Sequence, residues 1–155
     1  MDMLTKEEWH RKQAVDNFNK TWDLMEKANR TKEEAMEMIH TAHSSRYHWG
    51  LAGGPLNLAR GEWQISRVYS LLKMADSALL HAEHSLQLCL ENNIGDFDLA
   101  FAYEAAARAY MIKDDDTMMD KFISLAHDAA ENIAKKEDKD YFISELNSIK
   151  LGSKA

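Results

Sequence analysis

Apolar residues recur along the chain at the three- and four-residue spacing of amphipathic helices. Leu58, Ile65, Val68, Tyr69 and Leu72 share one face, and Ala75, Ala78, Leu79, Ala82, Leu86 and Cys89 share another. This pattern predicts seven helices, over 5–27, 32–49, 56–73, 76–92, 97–113, 115–135 and 138–150. Thr5 with Glu8, and Thr31 with Glu34, are capping-box pairs in which hydroxyl and carboxylate satisfy free N–H groups of the first turn. Gly95 followed by Asp96 reads as a left-handed stop and then a cap for the next helix. Residues 51–55 read as a loop. Tyr141, Phe142, Leu146 and Ile149 mark a last helix that closes an open end. Only one Pro and six Gly interrupt the chain, and five of the Gly fall at the predicted breaks. So few breakers favour an all-α fold over a sandwich or barrel.

The helical pattern is also self-similar. At a shift of 41, Trp22 falls on Trp63, Ala59 on Ala100, and Arg67 and Tyr69 on Arg108 and Tyr110. His40, His43 and Ser44 fall on His81, His84 and Ser85. The pair Ala35/Ala42 meets Ala78/Ser85 only at a shift of 43, so the register of the first unit is left open. A 41-residue period is one helix–turn–helix. It predicts a single domain over 1–155, with hairpins at 5–49, 56–92 and 97–135 and a closing helix at 138–150.

Ser66 three before Tyr69, and Ala78 seven before Ser85, match the small-residue spacing of tetratricopeptide hairpins; Ala107, Tyr110 and Ala126 continue it. Over 16–135 the chain resembles a tetratricopeptide-like (TPR-like) repeat, although Met119 replaces one small residue and the usual Pro after the second helix is missing. The stretch RYHWGLAGGPLNLARGEWQISRVY, 46–69, resembles a bacterial family of uncharacterised TPR-like proteins. These resemblances imply a right-handed stack of antiparallel helical hairpins and no known activity.

The resemblance further implies which side chains face a groove. They are Arg60, Trp63 and Arg67 on the third helix, Phe101, Glu104 and Arg108 on the fifth, and Trp22 and Glu26 on the first. Helix geometry places Arg60, Gln64, Arg67 and Leu71 along one stripe, apart from Leu58, Ile65 and Tyr69. Arg offers a planar fork for carboxylates and Trp a stacking surface. The expected function is therefore a protein- or peptide-interaction module whose groove takes an acidic peptide or a free C-terminus. The alternative for these Arg is an internal role, pairing with Glu62 and Glu104 to hold repeats in register.

Composition narrows the field. The chain has 155 residues, 45% apolar, with a net charge of −7, which disfavours a nucleic-acid partner. Cys89 is the only cysteine and reads as a core residue. The N-terminal MDMLTKEEWHRK has no apolar segment of a signal peptide, and no 18-residue apolar stretch occurs, so the expectation is a cytoplasmic protein without a membrane span. Glu62 lies on an apolar stripe and must be paired or neutral; an ion pair with Arg108 is expected, and a general acid or base is the sharper alternative. His40/His43 and His81/His84 have metal-chelating spacing on a helix, and a small metal-dependent enzyme is the rival function. The pairs lack carboxylates at matched positions, so no metal, cofactor or catalytic residue is expected. A self-associating structural protein, a homo-oligomer, is the third reading.

Overall fold

The computed structural model describes residues 3–153, with side chains through Ile149; among these residues there are seven helices and no strand. The helices are α1 (Lys6–Glu26), α2 (Lys32–Ala52), α3 (Pro55–Leu71), α4 (Ala75–Glu91), α5 (Asp96–Ile112), α6 (Asp116–Ala130) and α7 (Lys136–Ser153). Thr5 caps α1 through Glu8 N–H, and Thr31 and Glu34 form the full reciprocal box on α2. None of these helices is long and apolar enough to cross a membrane.

Consecutive helices pack as antiparallel pairs, α1 on α2, α3 on α4 and α5 on α6. Buried hydroxyls stitch two of the pairs. Ser45 Oγ donates to the Ala14 carbonyl at 2.7 Å, and Ser85 Oγ to the Ala59 carbonyl at 2.9 Å. Near the other end of its hairpin, Ser66 Oγ donates to the Ala78 carbonyl at 2.8 Å. A small hydroxyl residue at these crossings lets the backbones approach while leaving no buried donor unmatched.

The turns of the second and third hairpins are the same structure 41 residues apart. Met74 N–H reaches the Tyr69 carbonyl at 2.9 Å, and Asp115 N–H the Tyr110 carbonyl at 3.0 Å. Lys73 (φ 62°) and Asp114 (φ 61°) supply the left-handed residue. At the break between α4 and α5 the expected roles change places. Asn93 (φ 55°) closes α4, and Asp96 itself is left-handed (φ 53°), whereas Gly95 has φ −111° and caps α5 without a side chain. Asp96 tolerates this because its carboxylate accepts from Phe97 N–H at 2.6 Å and Ala134 N–H at 3.3 Å.

The buried positions fix the repeat register. Met38, Ala42, Ser45 and Trp49 of α2 correspond to Ala78, Ala82, Ser85 and Cys89 of α4 at a shift of 40. Those correspond in turn to Met119, Ile123, Ala126 and Ala130 of α6 at 41. For the first helices, Ala14 and Thr21 answer to Ala59 and Ser66 at 45, because the α1–α2 loop is longer than the α3–α4 loop and α2 starts further ahead of Ser45 than α4 does of Ser85. The 41-residue coincidences of Trp22 with Trp63, and of the two His pairs, therefore join positions that are not structurally equivalent.

The first helices also pack closely on one another, α1 on α3, α3 on α5 and α5 on α7, whereas the second helices stand further apart, α2 meeting α4 through side chains such as His43 and His81, whose rings are 5.4 Å apart. Helix α5 sits at the centre of this layer and is buried nearly all round. Its small residues Ala100, Ala102, Ala105, Ala106, Ala107 and Ala109 let four neighbouring helices close on it. Helix α7 lies where the first helix of a fourth unit would begin. It covers α5 and α6 with Phe142, Leu146 and Ile149, all but sealed from solvent.

Candidate functional site: an aromatic pocket on the first-helix layer

The first-helix layer carries a pocket of about 320 Å³. Trp22 and Phe18 of α1 form one wall, Trp63 of α3 stands in the middle, and Phe97 and Phe101 of α5 with Tyr141 of α7 form the other side. The rings are in mutual contact. Trp22 and Trp63 have centroids 5.8 Å apart, Trp63 meets Phe101 edge-on at 5.6 Å, and Phe97 meets Phe101 at 4.6 Å. Ala59 and Ser85 also line the pocket, and their small size leaves the space open.

The polar lining is charge-balanced. Arg60 grips Asp98 with both arms, Nε to Oδ1 at 2.8 Å and Nη2 to Oδ2 at 3.1 Å. That hydrogen-bonded carboxylate raises the Arg60 pKa above its ordinary value. Arg67 binds Glu145 Oε2 at 2.7 Å and Glu104 Oε1 at 3.3 Å. Burial alone would lower its pKa; the two carboxylates outweigh that and raise it. Behind Arg67, Arg108 donates to Glu104 Oε1 at 2.7 Å and to the Glu145 carbonyl and Ser148 Oγ at 3.2 and 3.0 Å. Glu104 is fully buried, and its second oxygen has no partner.

Five of the expected groove residues, Trp22, Arg60, Trp63, Arg67 and Phe101, thus line one pocket. Glu104 and Arg108 do not line it; they form its buried support. Glu26 is likewise outside the lining. The sequence reading missed Phe18, Phe97, Asp98, Tyr141 and Glu145. Two signals could have found them. Carrying the period onto α7 places Glu145 on Glu104 and Phe142 on Phe101, and neighbouring first helices meet at an offset of 37 or 38, as Arg60–Asp98, Trp63–Phe101 and Arg67–Glu104 show.

A second polar cluster lies between α2, α3 and α4. Glu62 was expected to pair with Arg108. It instead accepts from His81 Nδ1 at 2.7 Å, with Arg46 Nε as an ionic neighbour at 2.8 Å and His84 Nδ1 at 4.0 Å. The register explains this. Glu62 faces the second helices, whereas Arg108 belongs to the first-helix layer. Gly61 gives Arg46 its passage, since a Cβ there would sit 3.1 Å from Arg46 Cδ. Burial pushes the Glu62 carboxyl up, but the His81 hydrogen bond and the charges of His81, Arg46 and His84 outweigh it and hold the pKa below its ordinary value. His43 Nε2 meets Tyr69 Oη at 2.9 Å, and burial, with His81 and His40 nearby, lowers its pKa against the pull of Glu62. Among the described residues no group of three or more His, Cys, Asp or Glu side chains is placed to hold a metal ion. Cys89 is buried, and burial together with the Asp98 charge pushes its thiol up to about 11.

No protein-family model matches the chain, and no curated protein or solved structure matches it either.

Proposed function

We propose that the chain is a TPR-like helical repeat domain that binds a protein or peptide partner on its first-helix layer. The observation that carries this reading is the aromatic pocket, whose lining comes from all four helices of that layer. The packing supports it. First helices pack more closely on one another than second helices do, the arrangement expected of a stack whose first helices lie on the inner, concave side. Concave helical-repeat surfaces suit extended segments or partner helices. Every pocket guanidinium already faces a carboxylate, which disfavours an acidic partner.

The test is a selection from a random peptide library displayed on phage, using the full chain as bait. The expected result is enriched peptides that bind the wild type and lose binding to the Trp22→Ala variant. A selection that enriches nothing, or peptides indifferent to Trp22→Ala, overturns the reading.

A further inference from the structure

The pocket's chemistry narrows what it accepts. We infer that it is a socket for one large uncharged side chain of the partner polypeptide, aromatic by preference; this rests on reading the first-helix layer as the binding face. Size is the first argument. About 320 Å³ lies at the low end of small-molecule sites. It suits one aromatic residue anchoring a wider contact, the usual arrangement of a hot spot.

Charge is the second argument. The lining holds two guanidiniums and two carboxylates, and each is bound to another. An entering carboxylate would have to displace Asp98 or Glu145 from its Arg. An entering ammonium would have to displace Arg60 or Arg67. Either exchange breaks a made ion pair to form a similar one and desolvates the newcomer, so it brings little net gain. A neutral side chain disturbs neither pair and gains the full burial of its surface.

The third argument is the wall itself. Phe18, Trp22, Trp63, Phe97, Phe101 and Tyr141 present rings from four helices, and aromatic pairs in offset or edge-on contact exceed the value of their buried area alone.

The four Trp of this chain make the inference directly readable. Trp22 and Trp63 line the pocket, whereas Trp9 and Trp49 do not. In ¹⁵N-labelled full-length protein, the four indole N–H signals are followed while capped single residues are added. The probes are N-acetyl-tryptophanamide and N-acetyl-phenylalaninamide, against capped aspartate and capped lysine. The neutral aromatic probes should shift the Trp22 and Trp63 signals saturably, with Kd on the order of millimolar for so small a ligand, and leave Trp9 and Trp49 in place. Charged probes should bind at least about tenfold more weakly, an amount set by losing one well-buried contact. Tyr141→Ala, at a half-exposed position on the rim, should weaken the aromatic probes several-fold while the melting curve stays unchanged. Three results overturn the socket: charged probes acting as strongly as aromatic ones, no response of Trp22 and Trp63 to any probe, or equal shifts in all four indoles. Each of these leaves the interaction reading standing or falling on the phage selection alone.

Discussion

The guanidinium of Arg67 reaches the carboxylate of Glu145 at 2.7 Å, 78 residues further along the chain, and so ties α3 to α7 across α5. Glu104 and Arg108 complete the contact between them. Arg67 and Arg108 are one period apart, as are Glu104 and Glu145, so the four charges form a ladder that repeats with the helices. An exposed pair of this kind contributes little, but here Glu104 is fully buried and both Arg are mostly covered.

The ladder should therefore act as a strut. Replacing Arg108 with Ala leaves the buried Glu104 with fewer partners, a change expected to cost about 3 kcal/mol. For a chain of this size that lowers the melting temperature by roughly 6–12 °C. Arg108→Ala measured by thermal denaturation checks this. A shift under about 2 °C would show the ladder to be dispensable for stability.

The hairpin turns give a prediction of opposite sign. Lys73 and Asp114 are held at positive φ, which glycine adopts without steric cost. Lys73→Gly and Asp114→Gly should each stabilise the fold by about 0.5–1 kcal/mol. Urea denaturation of the two variants reads this directly, and a loss of stability in both would show that their side chains, rather than the turn geometry, matter there.

Stability should fall with acid. His43 has a lowered folded pKa, so its contribution is complete above the ordinary 6.5 and is lost as pH drops through the folded value. Glu62 is also lowered; its contribution is complete above the ordinary 4.5 and is lost below that. In both windows the unfolded chain binds more protons than the folded one. Melting temperature should thus decline from pH 7 to pH 4, and His43→Gln should flatten the upper part of that decline. A melting temperature that is level or rises over this range would contradict the assignment.

Much of the architecture was legible in the residues. Capping boxes and scarce breakers located all seven helices, because these are local signals, though the sixth ends at Ala130 and not at 135. The register of the first unit was not legible. A longer α1–α2 loop and extra residues at the start of α2 moved Ala14 by 45 and Ser45 by 40 relative to their counterparts, and identical letters at 41 then misled. The pocket was half visible. Trp22, Trp63 and Phe101 stand on the first helices and could be named, whereas Tyr141 and Glu145 enter it only because α7 continues the layer. The partners of Arg67 were hidden for the same reason, since pairing at an offset of 37 is a property of stacked helices and of no single one.

Paired guanidiniums also change the expected response to salt. Screening weakens binding that depends on exposed ion pairs. An apolar anchor does not depend on them, so affinity for a selected peptide should change little between 50 and 500 mM salt, conditions spanning roughly a threefold change in Debye length. A steep loss would return the acidic-partner expectation.

The central claim is that the partner is held at the aromatic pocket of the first-helix layer. It is tested most directly by the Kd of one selected peptide, measured by calorimetry for the wild type, Phe97→Ala and Leu80→Ala. Phe97 lines the pocket, whereas Leu80 is exposed on the second helix α4 and outside it. The prediction is a loss of at least about tenfold for Phe97→Ala, as for a buried aromatic contact, and an unchanged Kd for Leu80→Ala, with both variants folded by circular dichroism. Equal affinity for Phe97→Ala and wild type, or a loss confined to Leu80→Ala, would contradict it.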